Sequence, residues 1–130
     1  MFLQLNHQKL HLYEFSKHLV ILVYQVTKQL PPDERFGMIS QMRRAALSVH
    51  LNIAEGASRR TVAERKRFYE IARGSLIEID AALDAAKALG YLEKIYTTSI
   101  GDAMIKTFKT LTGLIKSCTN SPLTIDNSQQ

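Results

Sequence analysis

Four stretches of apolar residues at alternating three- and four-residue spacing, the first three closed by proline or glycine, constrain this chain more than any other feature. From about Leu10 to Leu30, the positions Leu12, Phe15, Leu19, Leu22 and Val26 form one such line, the pattern of a helix that buries one face in a bundle. Pro31 and Pro32 end it, and Asp33 and Glu34 bring negative charge to where the amino end of a following helix favours it. After Gly37 a second helix carries the inner line Ile39, Met42, Ala46, Val49 and Ile53, with Gly56 expected to close it in a left-handed conformation. Thr61 with Glu64 three residues on reads as a capping box. The third and longest helix then runs through Phe68, Ala72, Ser75, Ile79, Ala82, Ala86 and Leu89 until Gly90 stops it. A fourth line runs through Met104, Phe108, Leu111, Ile115 and Cys118; its start is placed at Glu93, with a Ser99 to Asp102 capping pair as the alternative.

Short connections between long helices favour antiparallel neighbours, so the expected fold class is all-α, an antiparallel up-down-up-down four-helix bundle. At 130 residues the chain holds one such unit. The bundle is assigned to residues 1–119, and the polar, aperiodic 120–130, which contains Pro122, to a disordered tail.

Several functions are disfavoured on composition. The longest unbroken apolar run, Leu19 to Tyr24, falls far short of the roughly 20 residues that cross a bilayer, so no membrane association is expected. The amino terminus lacks the basic and apolar regions of an export signal, which points to the cytoplasm. The single cysteine, Cys118, reads as a small core hydrophobe. His7, His11, Glu14 and His18 fall on one helical face, yet they read as a solvent-facing strip, because a metal site also needs supporting hydrogen bonds. The Glu-x-x-His pairs of di-iron bundles do not occur. No metal and no cofactor are expected.

Charge is uneven. All eight arginines lie between Arg35 and Arg73, where with Lys66 they face only Glu55, Glu64 and Glu70. The excess of six positive charges there exceeds the +5 of the whole chain, so a site for a polyanion belongs in this span. The candidate nucleic-acid-binding residues are Arg43, Arg44, Arg59, Arg60, Lys66, Arg67 and Arg73. Guanidinium groups grip phosphate with paired hydrogen bonds. In a hairpin centred on Ala57, Arg43 and Arg44 come level with Arg73, and a basic strip of roughly 25 Å follows from the helical rise. Arg59 and Arg60 stand at the amino end of the third helix, where positive charge opposes the helix dipole and an anionic partner relieves it. Arg43 and Arg44 equally suit pairing with Glu70 or Glu78 across the bundle, or with a neighbouring subunit.

The first helix is apolar almost all round from Leu19 to Tyr24, and the second carries Leu47 and Leu51 off its inner line. This surplus argues for a second buried surface, and Val20, Val23, Tyr24, Leu47 and Leu51 are the expected contacts of a homo-oligomer. Asn52, Glu55 and Gly56 lie within one turn of one another. Glu55 could act as a base, but no nucleophile accompanies it, and the three residues read as a structural corner. The chain is expected not to be an enzyme.

Gln41-Met42-Arg43-Arg44-Ala45-Ala46, Asn52-Ile53-Ala54-Glu55-Gly56 and Arg59-Arg60 are joined by Phe68, Ile71-Ala72, Gly74-Ser75-Leu76 with Glu78, and Leu89-Gly90-Tyr91-Leu92. As a set, these motifs resemble the bacterial four-helix bundle family whose founding members are encoded in intervening sequences of large-subunit ribosomal RNA genes. The likeness extends from Tyr13 to Lys116 and touches Val23-Tyr24, Thr27, the Pro-Asp-Glu turn and Gly113-Leu114-Ile115-Lys116. It implies a ring, typically a homopentamer, with no established enzymatic activity and a suspected nucleic-acid role. A distantly similar accessory protein of diversity-generating retroelements binds RNA and a reverse transcriptase. Here Tyr13 stands where the family usually has tryptophan, His50 and Leu51 replace a proline and a small residue, and Arg65 takes a usually apolar place. The functional expectation is the binding of structured RNA or DNA; the alternative is a protein-interaction scaffold whose arginines serve subunits or a protein partner.

Overall fold

The computed structural model describes residues 1–5, 7 and 10–120, and among these every regular element is helical. Four α-helices follow one another: α1 (His11–Thr27), α2 (Ser40–Ala57), α3 (Val62–Ala88) and α4 (Thr98–Asn120). α2 packs on both α1 and α3, and α4 packs on both α3 and α1, so the four close around a single core. The tail assigned to 120–130 lies, apart from the backbone of Asn120, outside the described residues.

The inner lines of α1 and α2 follow their apolar periods. Leu12, Leu19, Leu22 and Val26 are buried, as are Ile39, Met42, Ala46, Val49 and Ile53, with Ala45 beside them. Phe15, expected inside, is only half-buried, and Ser16 takes the inward position. Two fully buried threonines satisfy their hydroxyls within their own helices: Thr27 Oγ1 donates to the Val23 carbonyl at 2.8 Å and Thr107 Oγ1 to that of Ala103 at 2.7 Å.

α1 ends three residues before Leu30, whose buried side chain brings the chain into Pro31 and Pro32. A short 3₁₀ turn, Pro32–Glu34, leads into a wide irregular turn over Arg35–Ile39 that breaks from helical geometry at Gly37. Glu34 ties this region down. Its carboxylate accepts from the Met38 amide at 3.3 Å and from the Tyr91 hydroxyl at 3.1 Å.

Two inner lines are buried as expected at most positions, Ala72, Ser75, Ile79 and Ala86 on α3 and Met104, Leu111 and Ile115 on α4, and depart at a few. On α3, Tyr69 is buried while Phe68 lies at the edge, Leu76 joins the core, and Leu89 is exposed. On α4, Thr107 is fully buried and Phe108 is partly exposed. Apolar periodicity favours the larger hydrophobe at each step, and here a neighbour with a hydroxyl sits closer to the axis of the core, that of Thr107 satisfied within its own helix.

Gly90 stops α3 as expected. With φ at +80° it adopts the left-handed conformation, and the Tyr91 and Gly90 amides donate back to the carbonyls of Ala86 at 2.9 Å and Lys87 at 3.0 Å. α4 begins at Thr98, later than the expected Glu93 and one residue ahead of Ser99. Leu92 and Ile95 instead form a turn packed against the core. The Thr97 carbonyl accepts the first bond of the helix, from the Gly101 amide at 3.0 Å.

Candidate nucleic-acid interface

The register between α2 and α3 sets where the arginines stand. Ser48 Oγ lies 2.8 Å from Ser75 Oγ. Farther along α2, Gly56 meets Phe68 and Tyr69, so the contact moves back along α3 as it moves forward along α2. Gly56 remains inside α2 and does not take a left-handed conformation, contrary to the sequence expectation. Its role is close approach: a Cβ there would meet Tyr69 Cε1 at 2.9 Å and Phe68 Cβ at 3.0 Å. The hairpin therefore turns at Thr61 and not at Ala57, and Arg43 and Arg44 come level with Ile79 and Asp80 instead of Arg73. Arg73 stands opposite the Leu51 region.

Arg43 is held by its own fold. Its Nε donates to Thr27 Oγ1 at 2.8 Å, and its guanidinium lies 4.6 Å from the ring centre of Tyr24. A half-buried cation over an aromatic face gains about 0.5–2 kcal/mol, enough to keep the side chain at home. Arg44 is exposed and bonds only to Gln41, one turn back.

The corner between α2 and α3 is different. Thr61 caps α3, its Oγ1 accepting from the Glu64 amide at 3.1 Å. The Ser58 and Arg59 amides extend the last turn of α2. Arg65, the departure from the usual apolar residue, donates from Nη1 to the carbonyls of Arg59 at 2.9 Å and Arg60 at 3.2 Å, so it ties the linker to the first turn of α3. Arg59 pairs with Glu55 and lies 4.7 Å from the ring centre of Phe68, which Arg67 approaches at 5.7 Å. Phe68 is thus occupied by two cations, and Tyr69 is buried. Neither ring is open to stack on a base.

Both members of the Arg59–Glu55 pair are more than a third exposed, so the pair contributes no more than about 0.5 kcal/mol. Arg60 and Arg67 are exposed, and Lys66 and Arg73 half-exposed. Arg60 makes no side-chain hydrogen bond or ion pair among the described residues. The linker also lines an open cavity of about 580 Å³ that it shares with His7 and Arg65.

Asn52 and Glu55 do not converge on a catalytic centre. Asn52 Nδ2 donates to the Ser48 carbonyl at 2.8 Å, and Glu55 turns to Arg59. Among the described residues the one serine–histidine hydrogen bond is Ser16 Oγ to His50 Nδ1 at 2.7 Å, and Ser16 is fully buried. Ser16 also donates to the Tyr13 carbonyl at 3.0 Å, and the Tyr13 and His50 rings lie 4.5 Å apart. The two departures from the family pattern thus meet as one packed seam between α1 and α2. Burial, reinforced by the charges of Lys17 and His7 and opposed by Glu14, holds His50 below its usual pKa of 6.5. His7 and His11 turn to Tyr13 and Phe15, and no group of three or more His, Cys, Asp or Glu side chains among the described residues could hold a metal ion. Burial raises the Cys118 thiol.

Of the expected subunit-contact residues, Val23 is corrected. It is completely buried within its own subunit, because it stands one residue from Leu22 on a helix that buries two adjacent rows. Val20, Tyr24 and Leu47 line one shallow groove between α1 and α2 with Ile21, which the sequence reading missed. Ile21, Leu47 and Leu51 are 48%, 38% and 60% exposed. The unbroken run Leu19 to Tyr24 was the available signal for Ile21.

No helix among the described residues is long and apolar enough to cross a membrane. No curated protein matches the chain. Residues 8–113 match the family described as 23S rRNA-intervening sequence protein. That span covers most of the 130 residues, and the chain belongs to this family.

Proposed function

We propose that this member of the 23S rRNA-intervening sequence protein family is a non-enzymatic, cytoplasmic homo-oligomer that binds structured RNA or DNA through the basic surface of α2 and α3. The subunit is read as an antiparallel up-down-up-down bundle. The ring has five subunits, the number the resemblance favours. The observation that carries the nucleic-acid reading is the fate of the arginines at the α2–α3 corner: Arg60 and Arg67 are exposed, and Arg59, held by the Phe68 ring and a weak pair with Glu55, keeps more than a third of its side chain in solvent. Phosphate contacts from such groups position a protein without reading bases, so binding has little sequence preference. The occupied Phe68 ring argues for structured or double-stranded backbone over stacked single strands.

Self-association is supported by the exposed apolar row of Ile21, Leu47 and Leu51. Light scattering at micromolar concentration is expected to give a single species larger than a monomer; a monodisperse monomer overturns the ring. Binding to a hairpin RNA and to unrelated duplex DNA is expected at low salt and falls steeply as salt rises. Replacing Arg59, Arg60 and Arg67 together with Ala should weaken binding to all sequences and flatten that salt dependence, with the oligomer intact.

A second reading, a protein-interaction scaffold, draws on Arg43, whose guanidinium serves a contact within the protein. It prevails if the wild type binds no nucleic acid at low salt.

A further inference from the structure

We propose that the cavity at the α2–α3 corner is a phosphomonoester site, one that takes the terminal phosphate of a nucleic-acid strand. The inference deepens the function proposed above and rests on its reading of the corner as a surface for anions. The cavity, about 580 Å³, is lined by Arg59, Arg60 and Arg65 from the linker and the first turn of α3, by Ala57 and Ser58 at the end of α2, and by Leu5 and His7 from the segment before α1.

Three guanidinium groups around one space repel one another, and an anion between them relieves that repulsion. The chain supplies little to offset this. Glu55 engages Arg59, while Glu64 turns to the Thr61 hydroxyl at 3.3 Å. Arg65 spends Nη1 on the Arg59 and Arg60 carbonyls, which fixes its guanidinium at the cavity and leaves its remaining N–H groups without a partner among the described residues. Arg59 Nε is buried and also has none. An acceptor oxygen entering the cavity can take up the free N–H groups of Arg60 and Arg65. The amino end of α3, starting at Val62, adds positive potential on the same side.

The shape selects among phosphates. A backbone diester offers one charge and two free oxygens on a convex strand. A monoester offers three free oxygens and a charge near −2, suited to a concave space where donors converge from several directions. With Arg59 partly neutralised by Glu55, the three arginines present about two uncompensated charges. Arg67, exposed on α3, and the half-exposed Lys66 and Arg73 remain for the adjoining backbone.

The test uses the full-length protein in its native assembly. Arginine Nε–H signals of ¹⁵N-labelled protein are followed during titration with inorganic phosphate, against chloride at equal ionic strength. Saturable shifts confined to phosphate are expected at Arg59 and Arg65, and Arg60→Gln, which removes an exposed side chain with no internal partner, should weaken the apparent affinity about tenfold. Shifts that are absent, unsaturable or identical in chloride overturn the site. In a second arm, one hairpin RNA is compared with a 5′-phosphate and a 5′-hydroxyl. Tighter binding of the phosphorylated form by about tenfold, lost in Arg60→Gln, supports the strand-end assignment. Equal binding of both forms overturns it and leaves general backbone binding standing. If neither RNA binds while phosphate still saturates the arginines, the nucleic-acid function fails and the cavity is a site for small phosphate esters.

Discussion

Arg43 and Arg60 share a side chain and a basic stretch of sequence, yet the fold treats them in opposite ways. In the middle of α2, Arg43 finds an aromatic face and a hydroxyl on α1 and becomes part of the packing. At the corner, Arg60 has no such neighbour and faces solvent at the rim of a cavity. What distinguishes a structural from a binding arginine here is whether another helix brings a ring and an acceptor within reach. Density of positive charge along the sequence cannot make that distinction.

The comparison breaks most visibly at Gly56, which sets the register that separates the two regions. Gly56→Val forces side-chain atoms into Tyr69 and Phe68, and chemical denaturation should show a loss of about 2–3 kcal/mol. Nucleic-acid binding should fall with it, because the linker arginines ride on that contact. A stable, fully binding variant would mean that the corner tolerates a different spacing.

The two arginines themselves give the next largest contrast. Arg43→Ala should cost about 1–2 kcal/mol of stability through the lost ring contact and hydrogen bond. It should leave nucleic-acid affinity nearly unchanged. Arg60→Ala should do the reverse, with stability within about 0.5 kcal/mol of wild type and weaker binding. Equal behaviour of the two variants in both measurements would erase the distinction.

The smallest effect sharpens the comparison at the uncharged seam between α1 and α2. His50 has a lower pKa folded than its ordinary 6.5, so below that pH the unfolded chain takes up the proton more readily. The stability this group contributes is complete above about 6.5 and is lost as the pH falls through that value toward the folded pKa. Melting temperature should decline on acidification from about pH 7.5 to 5.5, and His50→Gln should flatten the decline. An unaltered slope in the variant would place the titrating group elsewhere.

Much of the fold was legible because helical periodicity is local. Leu19, Val49 and Ile53 had to face inward whatever the rest of the chain did, and all three are fully buried. Gly90 and Thr61 likewise announced the end of α3 and its start through bonds made within a few residues. Phe68 and Phe108 were expected inside where their neighbours Tyr69 and Thr107 are buried instead, since sequence spacing alone does not say how far a helix is rotated toward its neighbours. The start of α4 was missed for a related reason: Leu92 and Ile95 continue an apolar pattern, but they cover the end of the core as a turn.

The sequence by itself therefore determined four helices, their main buried rows, and the concentration of arginines between Arg35 and Arg73. Only the tertiary structure decided that Val23 belongs to the subunit core, that Gly56 serves contact and not chain reversal, and that Arg43 is held while the corner arginines surround a cavity. The division has a physical cause. Helix period and capping depend on residues within about one turn, whereas register and the fate of a charge depend on groups from distant parts of the chain that approach only when the helices pack.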